Sequence, residues 1–88
     1  MNTSIVQDNV ETQIRTVLAK HGQLNKDAMN IAVDDDLYAC GMTSHASVNV
    51  MLALEGLFDL EFPDSMLNRG VFASIDAIRT AVVELQDA

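Results

Sequence analysis

Cys40, Ser44 and His45 stand within one short stretch, Asp35-Asp36-Leu37-Tyr38-Ala39-Cys40-Gly41-Met42-Thr43-Ser44-His45, and they are the side chains here best suited to covalent chemistry. A serine acts as a nucleophile when a base reaches its hydroxyl and a third group orients that base. If Ser44 and His45 lie on a helix, they project about 100° apart, so a hydrogen bond between them is poorly placed. No third orienting group is evident. Catalysis is therefore disfavoured, and the chain is expected not to be an enzyme. Cys40 reads as a small loop residue, whose exposure would permit adventitious dimers, rather than as a reactive thiol. Asp34 to Asp36 lack the alternating ligands and central glycine of a calcium loop, so they read as solvated acids and no metal is expected. His21, beside Gly22, reads as a cation near the carbonyls that end a helix.

Ser44 keeps two other roles. It falls at the expected start of an apolar helix, where the first backbone N–H groups lack intrahelical partners and lie at the positive end of the helix dipole. A phosphodiester on its hydroxyl would be favoured there. The alternative is that Ser44 simply caps the helix. From its position alone, capping is the favoured reading, and only the surrounding pattern can reverse it.

The elements that position this serine follow from apolar spacing. Ser4 and Gln7 form a capping-box pattern, and Val6, Val10, Ile14, Val17 and Leu18 recur at helical spacing. The spacing predicts a first helix over about Ile5 to Lys20, with Gly22 in the left-handed position that ends it. No sustained period follows until Thr43. Leu24, Met29, Ile31, Val33 and Leu37 are apolar enough to pin this long loop, which argues against disorder. A second helix is expected from Ser44 or His45 to about Phe58, ahead of Pro63. Ser47, Val50, Met51, Leu54, Leu57 and Phe58 would form its core face. The opposite face carries His45, Val48, Asn49, Leu52 and Gly56, with no charge and two sizeable aliphatic groups. That face is either a docking patch or is covered by the loop or a short third helix. Ser65 to Gly70 would form a short helical turn with Met66 and Leu67 inward. Ser74 would cap a last helix whose stripe is Ile75, Ile78, Val82 and Leu85.

The expected architecture is all-α: a small four-helix bundle, three helices long and one short, with a long first loop. With 88 residues and 49% hydrophobic content, residues 1–88 should form a single domain around one core. No apolar run approaches the roughly 20 residues needed to span a bilayer, and residues 1–10 have neither a basic leader nor an apolar signal core. A cytoplasmic location is expected, without membrane association, and one cysteine fits a reducing compartment.

Charge is unevenly distributed. Residues 1–33 sum to zero, so the net charge of −8 arises beyond them. Seven acids and no Lys or Arg lie between Asp34 and Asp64. A nucleic-acid partner is disfavoured, because phosphate backbones demand a cationic surface. Such an acidic field either steers basic protein surfaces or merely keeps a small apolar domain soluble.

The order of residues around Ser44 resembles the acyl carrier protein family. In that family an Asp, then a Leu, a Gly, an aliphatic residue and a short polar residue precede a modified serine. Asp35 or Asp36, Leu37, Gly41, Met42 and Thr43 match in order and spacing. The stretch from Val48 to Phe58 is also similar, including Ala53-Leu54-Glu55, as is Phe58-Asp59-Leu60-Glu61-Phe62-Pro63-Asp64. The resemblance extends from Asp34 to Leu85, with a small insertion around Arg69 to Phe72. The first helix matches only in its apolar pattern.

The resemblance implies a covalent cofactor, 4'-phosphopantetheine from coenzyme A, attached to Ser44. A phosphopantetheinyl transferase would attach it with magnesium, the Ser44 oxygen attacking the pyrophosphate. An acyl or aminoacyl group would then ride as a thioester on the arm's terminal sulfur, loaded by a ligase and passed to a downstream transferase. Tethering raises its local concentration at each partner enzyme. Fatty-acid carriers commonly have Asp-Ser-Leu at the serine and acids along the exposed second helix. Here Thr43-Ser44-His45 stands in that place, and Ala46, Asn49, Gly56 and Leu57 replace such acids. This favours a specialised stand-alone carrier, and the triplet is compatible with a subgroup that receives amino acids from ligases resembling aminoacyl-tRNA synthetases. The residues alone leave aminoacyl and fatty-acyl cargo open. The partner surface is expected to include Met42, Thr43, His45, Val48, Asn49 and Leu52, on a monomer. The alternative function is an unmodified helical protein interaction module that uses the same apolar face.

Overall fold

The computed structural model describes residues 3–87, with side chains from Val10 onward. Helix α1 covers Thr3–Val17 and widens into one π-helical turn at Leu18–Gly22. A long loop leads to α2, Ser44–Phe58, and a 3₁₀ turn at Asp64–Met66 precedes α3, Ile75–Asp87. Among the described residues there is no strand. The expected all-α bundle with a long first loop is therefore present, its short fourth helix reduced to the 3₁₀ turn.

The apolar stripes meet at the centre. Ile14 and Leu18 of the first helical segment, Val50 and Leu54 of α2, and Ile75, Ile78 and Val82 of α3 are fully buried, together with Leu37 from the loop. Ser74 caps α3 as expected: its hydroxyl accepts the Ala77 amide at 3.0 Å. Helix α1 begins two residues before the expected Ile5, and the side chains of the Ser4–Gln7 capping pattern lie outside the described residues. The end of that segment differs in detail. Gln23, at φ 55° and ψ 40°, takes the left-handed conformation expected of Gly22. Gly22 is instead buried, where a Cβ would stand 3.4 Å from Leu18 Cδ2 and 3.5 Å from Leu24 Cγ. The extra residue of the wider turn moves the reversal one position on.

In α2 the inward line runs through Ala46, Val50 and Leu54, with Met51 and Phe58 packed at its edge. Leu57, expected in the core, is 47% exposed. It stands in the last turn, beyond the final fully buried residue, where Asp59 at φ 53° reverses the chain. Val48 and Leu52 are 49% and 55% exposed, so neither the loop nor the 3₁₀ turn covers them. No helix of the described residues is long and apolar enough to cross a membrane.

Polar contacts shape the loop as much as burial does. Arg15 reaches out of α1 and donates from Nη1 to the carbonyls of Ala28 at 2.9 Å and Ile31 at 2.7 Å. The Leu37 amide donates to Ala73 at 2.7 Å and the Asp76 amide to Val33 at 2.9 Å, which ties the loop to the start of α3. Asp35 and Asp36 do more than meet solvent: their carboxylates accept the amides of Ala32 and Tyr38. Met29 and Val33, expected to pin the loop, are exposed, whereas Ala28, Ile31, Leu37, Cys40 and Met42 are buried. The carbonyl anchors set by Arg15 turn Ala28 and Ile31 inward, and Met29 projects to solvent between them.

Candidate functional site

A knot of turns delivers the chain to α2. The Asn25 amide donates to the Cys40 carbonyl at 2.8 Å, closing the two ends of the loop on each other. Gly41 then adopts φ +107°, a conformation L side chains rarely take, and a Cβ there would stand 3.3 Å from Asn25 Nδ2. The Met42 amide returns to Leu37 at 3.1 Å, and its side chain is 3% exposed. Met42 is thus an internal anchor and not part of a partner-facing surface: the turn that frees Ser44 sends the residue two before it into the core. Cys40 is also buried, at 4%, so the exposure expected of it is absent.

Thr43, extended at φ −84° and ψ 166°, is the N-cap of α2. Its hydroxyl accepts the Ala46 amide at 3.0 Å and its carbonyl accepts the Ser47 amide at 2.9 Å. Ser44 is therefore the first helical residue and not the cap. Its carbonyl accepts the Ser47 hydroxyl at 2.7 Å, and among the described residues no hydrogen bond engages its own hydroxyl. The residue is exposed. His45, its neighbour, is exposed as well, and no cluster of His, Cys, Asp or Glu among the described residues is arranged to hold a metal.

Ser44 opens onto a cleft of about 300 Å³. One wall is α2, through Ser47, Val48 and Met51; the other comes from Leu67 and Phe72 in the connection to α3. Tyr38 and Arg69 close its edge, with the guanidinium carbon 3.8 Å from the ring centroid. Phe72 is fixed from behind by Phe62, whose ring meets it edge-on at 5.4 Å between centroids. Leu67, expected to face inward, is 44% exposed at this cleft because the short 3₁₀ turn does not extend far enough to bury it.

The residues singled out from the sequence sort clearly. Thr43, Ser44, His45, Val48 and Leu52 are exposed along one side of α2 and Asn49 is half-buried, whereas Met42 is withdrawn. Sequence reasoning missed the second wall of the cleft and the Tyr38–Arg69 pair. One signal was available: Arg69 is the sole Lys or Arg between residues 27 and 78.

Residues 12–82 match the family described as phosphopantetheine attachment site. The chain belongs to this family. It is a phosphopantetheine-dependent carrier protein. A similar curated protein is the aminoacyl carrier protein of Agrobacterium fabrum (strain C58 / ATCC 33970), 53% identical over 74 residues, which covers 84% of this chain and 89% of the relative. A chain in the crystal structure of engineered Bradyrhizobium japonicum glycine:[carrier protein] ligase complexed with carrier protein from Agrobacterium tumefaciens and ATP is 51% identical. It superposes with a TM-score of 0.82, over 85% of this chain and 97% of that one. A solution structure of an Agrobacterium tumefaciens protein, 51% identical, gives 0.70 over 88% of this chain and 93% of its own.

The residues at the head of α2 suit this family's cofactor. An exposed serine whose hydroxyl is not spent on the cap can take a phosphodiester without breaking an existing bond, and the cleft beside it has room along which a flexible arm can lie.

Proposed function

We propose that Ser44 carries the 4'-phosphopantetheine arm and that the cargo is an amino acid, presented to partner enzymes. The observation that carries this reading is the division of labour at the head of α2, where Thr43 holds the cap and the exposed Ser44 hydroxyl has no hydrogen-bond partner among the described residues. When bound, the arm supplies a terminal thiol that holds cargo as a thioester. The chain's own contribution is placement: Gly41 makes the turn, Met42 anchors it, and α2 holds Ser44 outward. No acid, base or oxyanion hole is required of the bundle. A phosphopantetheinyl transferase installs the arm, a ligase loads it and a downstream transferase unloads it.

Aminoacyl cargo is supported by the likeness to the Agrobacterium aminoacyl carrier protein and by the ligase in whose complex a similar chain stands. Charge is consistent with this, since α2 has a single acid, Glu55, and its carboxylate accepts the Phe62 amide at 2.9 Å. Docking would then rest on Thr43, His45, Val48, Asn49 and Leu52, with apolar contact in place of acid–base pairing. The reduced, buried Cys40 suits a reducing compartment, and the cytoplasm is the proposed location.

The test is intact mass after incubation with coenzyme A, magnesium and a broad-specificity phosphopantetheinyl transferase, followed by glycine, ATP and a glycine:[carrier protein] ligase. One phosphopantetheine added to the parent and none to Ser44→Ala supports the attachment site, and a further glycyl increment supports the cargo. No first increment in a folded parent would leave an unmodified helical interaction module as the better reading.

A further inference from the structure

We infer that Arg69, stacked on Tyr38, binds the phosphodiester of the arm on Ser44 and so fixes the direction in which the arm leaves the serine. This is a positioning role, and it rests on attachment at Ser44 as proposed above.

The charges create the need. Seven acids and no Lys or Arg lie between Asp34 and Asp64, and Ser44 falls within that stretch. A phosphodiester there adds a further negative charge to a segment already rich in acids, which favours a compensating cation nearby. Arg69 is the cation that lines the same cleft as Ser44. Arg15 is committed to Glu11 and two loop carbonyls, and Arg79 is paired with Asp76 at 2.7 Å. Among the described residues Arg69 has no carboxylate partner; its neighbour is the Tyr38 ring.

That contact is what makes Arg69 suitable. A guanidinium stacked on an aromatic ring uses its flat face, while its N–H donors point outward along the edges. Those edges match the paired oxygens of a phosphodiester, which a lysine ammonium meets only as a point charge. The ring also restricts the long side chain before the anion arrives, so less rotamer freedom is lost on binding. Tyr38 is held in turn: its amide donates to the Asp36 carboxylate at 2.9 Å, and its ring is packed against the core. The segment carrying Arg69 is tied by the Phe72 amide donating to the Arg69 carbonyl at 3.2 Å and by Phe72 itself, which is buried.

The experiment compares the modified and unmodified forms of the parent, Arg69→Gln, Arg69→Lys and Tyr38→Leu by intact mass, phosphorus NMR and nitrogen NMR of the arginine Nε–H groups. Arg69 is exposed, so its substitution should leave the fold intact. The expected result is that modification shifts and protects the Arg69 Nε–H signal in the parent. The phosphorus resonance should differ between the parent and Arg69→Gln at low salt, and converge at high salt. Modification should also raise the parent's melting temperature by about 2–4 °C more than it raises that of Arg69→Gln. Arg69→Lys and Tyr38→Leu should keep only part of that difference. If the arm is attached by mass but the phosphorus signal and the thermal gain are the same in the parent and Arg69→Gln, Arg69 does not bind the phosphodiester and Ser44 stands as its attachment point. If no arm is attached to the parent, both the attachment reading and the Arg69 role fall.

Discussion

The Thr43 hydroxyl accepts the Ala46 amide at 3.0 Å, and this bond, one residue upstream, releases Ser44 from the duty that most serines at helix starts perform. Thr43→Ala should cost about 1 kcal/mol of stability. Ser44→Ala, at an exposed first helical position, should change stability by less than about 0.5 kcal/mol while abolishing modification. Urea midpoints of the two variants decide the point. A costly Ser44→Ala beside a silent Thr43→Ala would mean that Ser44 is the cap.

Gly41 makes a second local prediction. At φ +107° it takes a conformation that strains any side chain, and a Cβ there would also crowd Asn25 Nδ2 at 3.3 Å and the Asn25 amide nitrogen at 3.4 Å. Gly41→Ala should destabilise the chain by about 1–3 kcal/mol, through backbone strain and loss of the close approach of Asn25 to Cys40. The same change should slow modification of Ser44 at temperatures where the variant is still folded, because the turn that presents the serine is displaced. Folded Gly41→Ala that is modified at the parental rate would remove Gly41 from the presentation of Ser44.

The bundle was legible wherever period and cap agreed. Ile75, Ile78 and Val82 behind Ser74, and Val50 and Leu54 in α2, are inward as their spacing implies, because a helix buries whatever recurs on one side of it. The start of α2 at Ser44 was legible as well, because the apolar period resumes there after the long loop. Met42, Leu57 and Leu67 were misjudged for a common reason: each stands at the edge of an element, where the chain changes direction and the spacing rule ends. The Arg69–Tyr38 contact joins residues 31 positions apart, and no local pattern encodes such a pairing. Arg15 was invisible as an anchor for a related reason, because its partners are backbone carbonyls, which every residue has.

Arg15 supplies a stability prediction. Its side chain is 12% exposed and donates to Ala28 and Ile31 as well as to Glu11 at 3.1 Å. Arg15→Met keeps much of the apolar stem but leaves two loop carbonyls without a donor, so it should cost about 2–3 kcal/mol. Arg15→Lys should recover only part, since one ammonium cannot reproduce the fork of the guanidinium. Denaturant midpoints give the energies, and hydrogen exchange should show the loss concentrated in the loop from Leu24 to Met42. A loss below about 0.5 kcal/mol would show that the loop is held by burial alone.

Val48 and Leu52 present apolar groups on the open side of α2, 49% and 55% exposed. Their replacement by Asp should cost no more than about 1 kcal/mol of stability, because neither belongs to the buried core. At a docking surface each change desolvates a charge against an apolar partner, and each should raise the apparent KM of the loading ligase for the carrier by about tenfold or more. Unchanged KM in both variants would take this face out of the ligase contact.

Cys40 offers a direct readout of the arm. It is the chain's one cysteine, and it is 4% exposed beneath the turn that leads to Ser44. A thiol reagent reaches a sulfur only when the sulfur is accessible, so the native unmodified chain should react slowly, over the time of its unfolding. The thiol of an arm attached at Ser44, as proposed, would be tethered at an exposed residue and should react at once. Rapid labelling should therefore rise from near zero to one equivalent per chain on modification, and Ser44→Ala should stay near zero. In denaturant the unmodified chain should show one equivalent and the modified chain two. Rapid reaction of the native unmodified chain would mean that the Cys40 turn opens readily, and that the link from Cys40 through Gly41 and Met42 does not hold Ser44 rigidly in place.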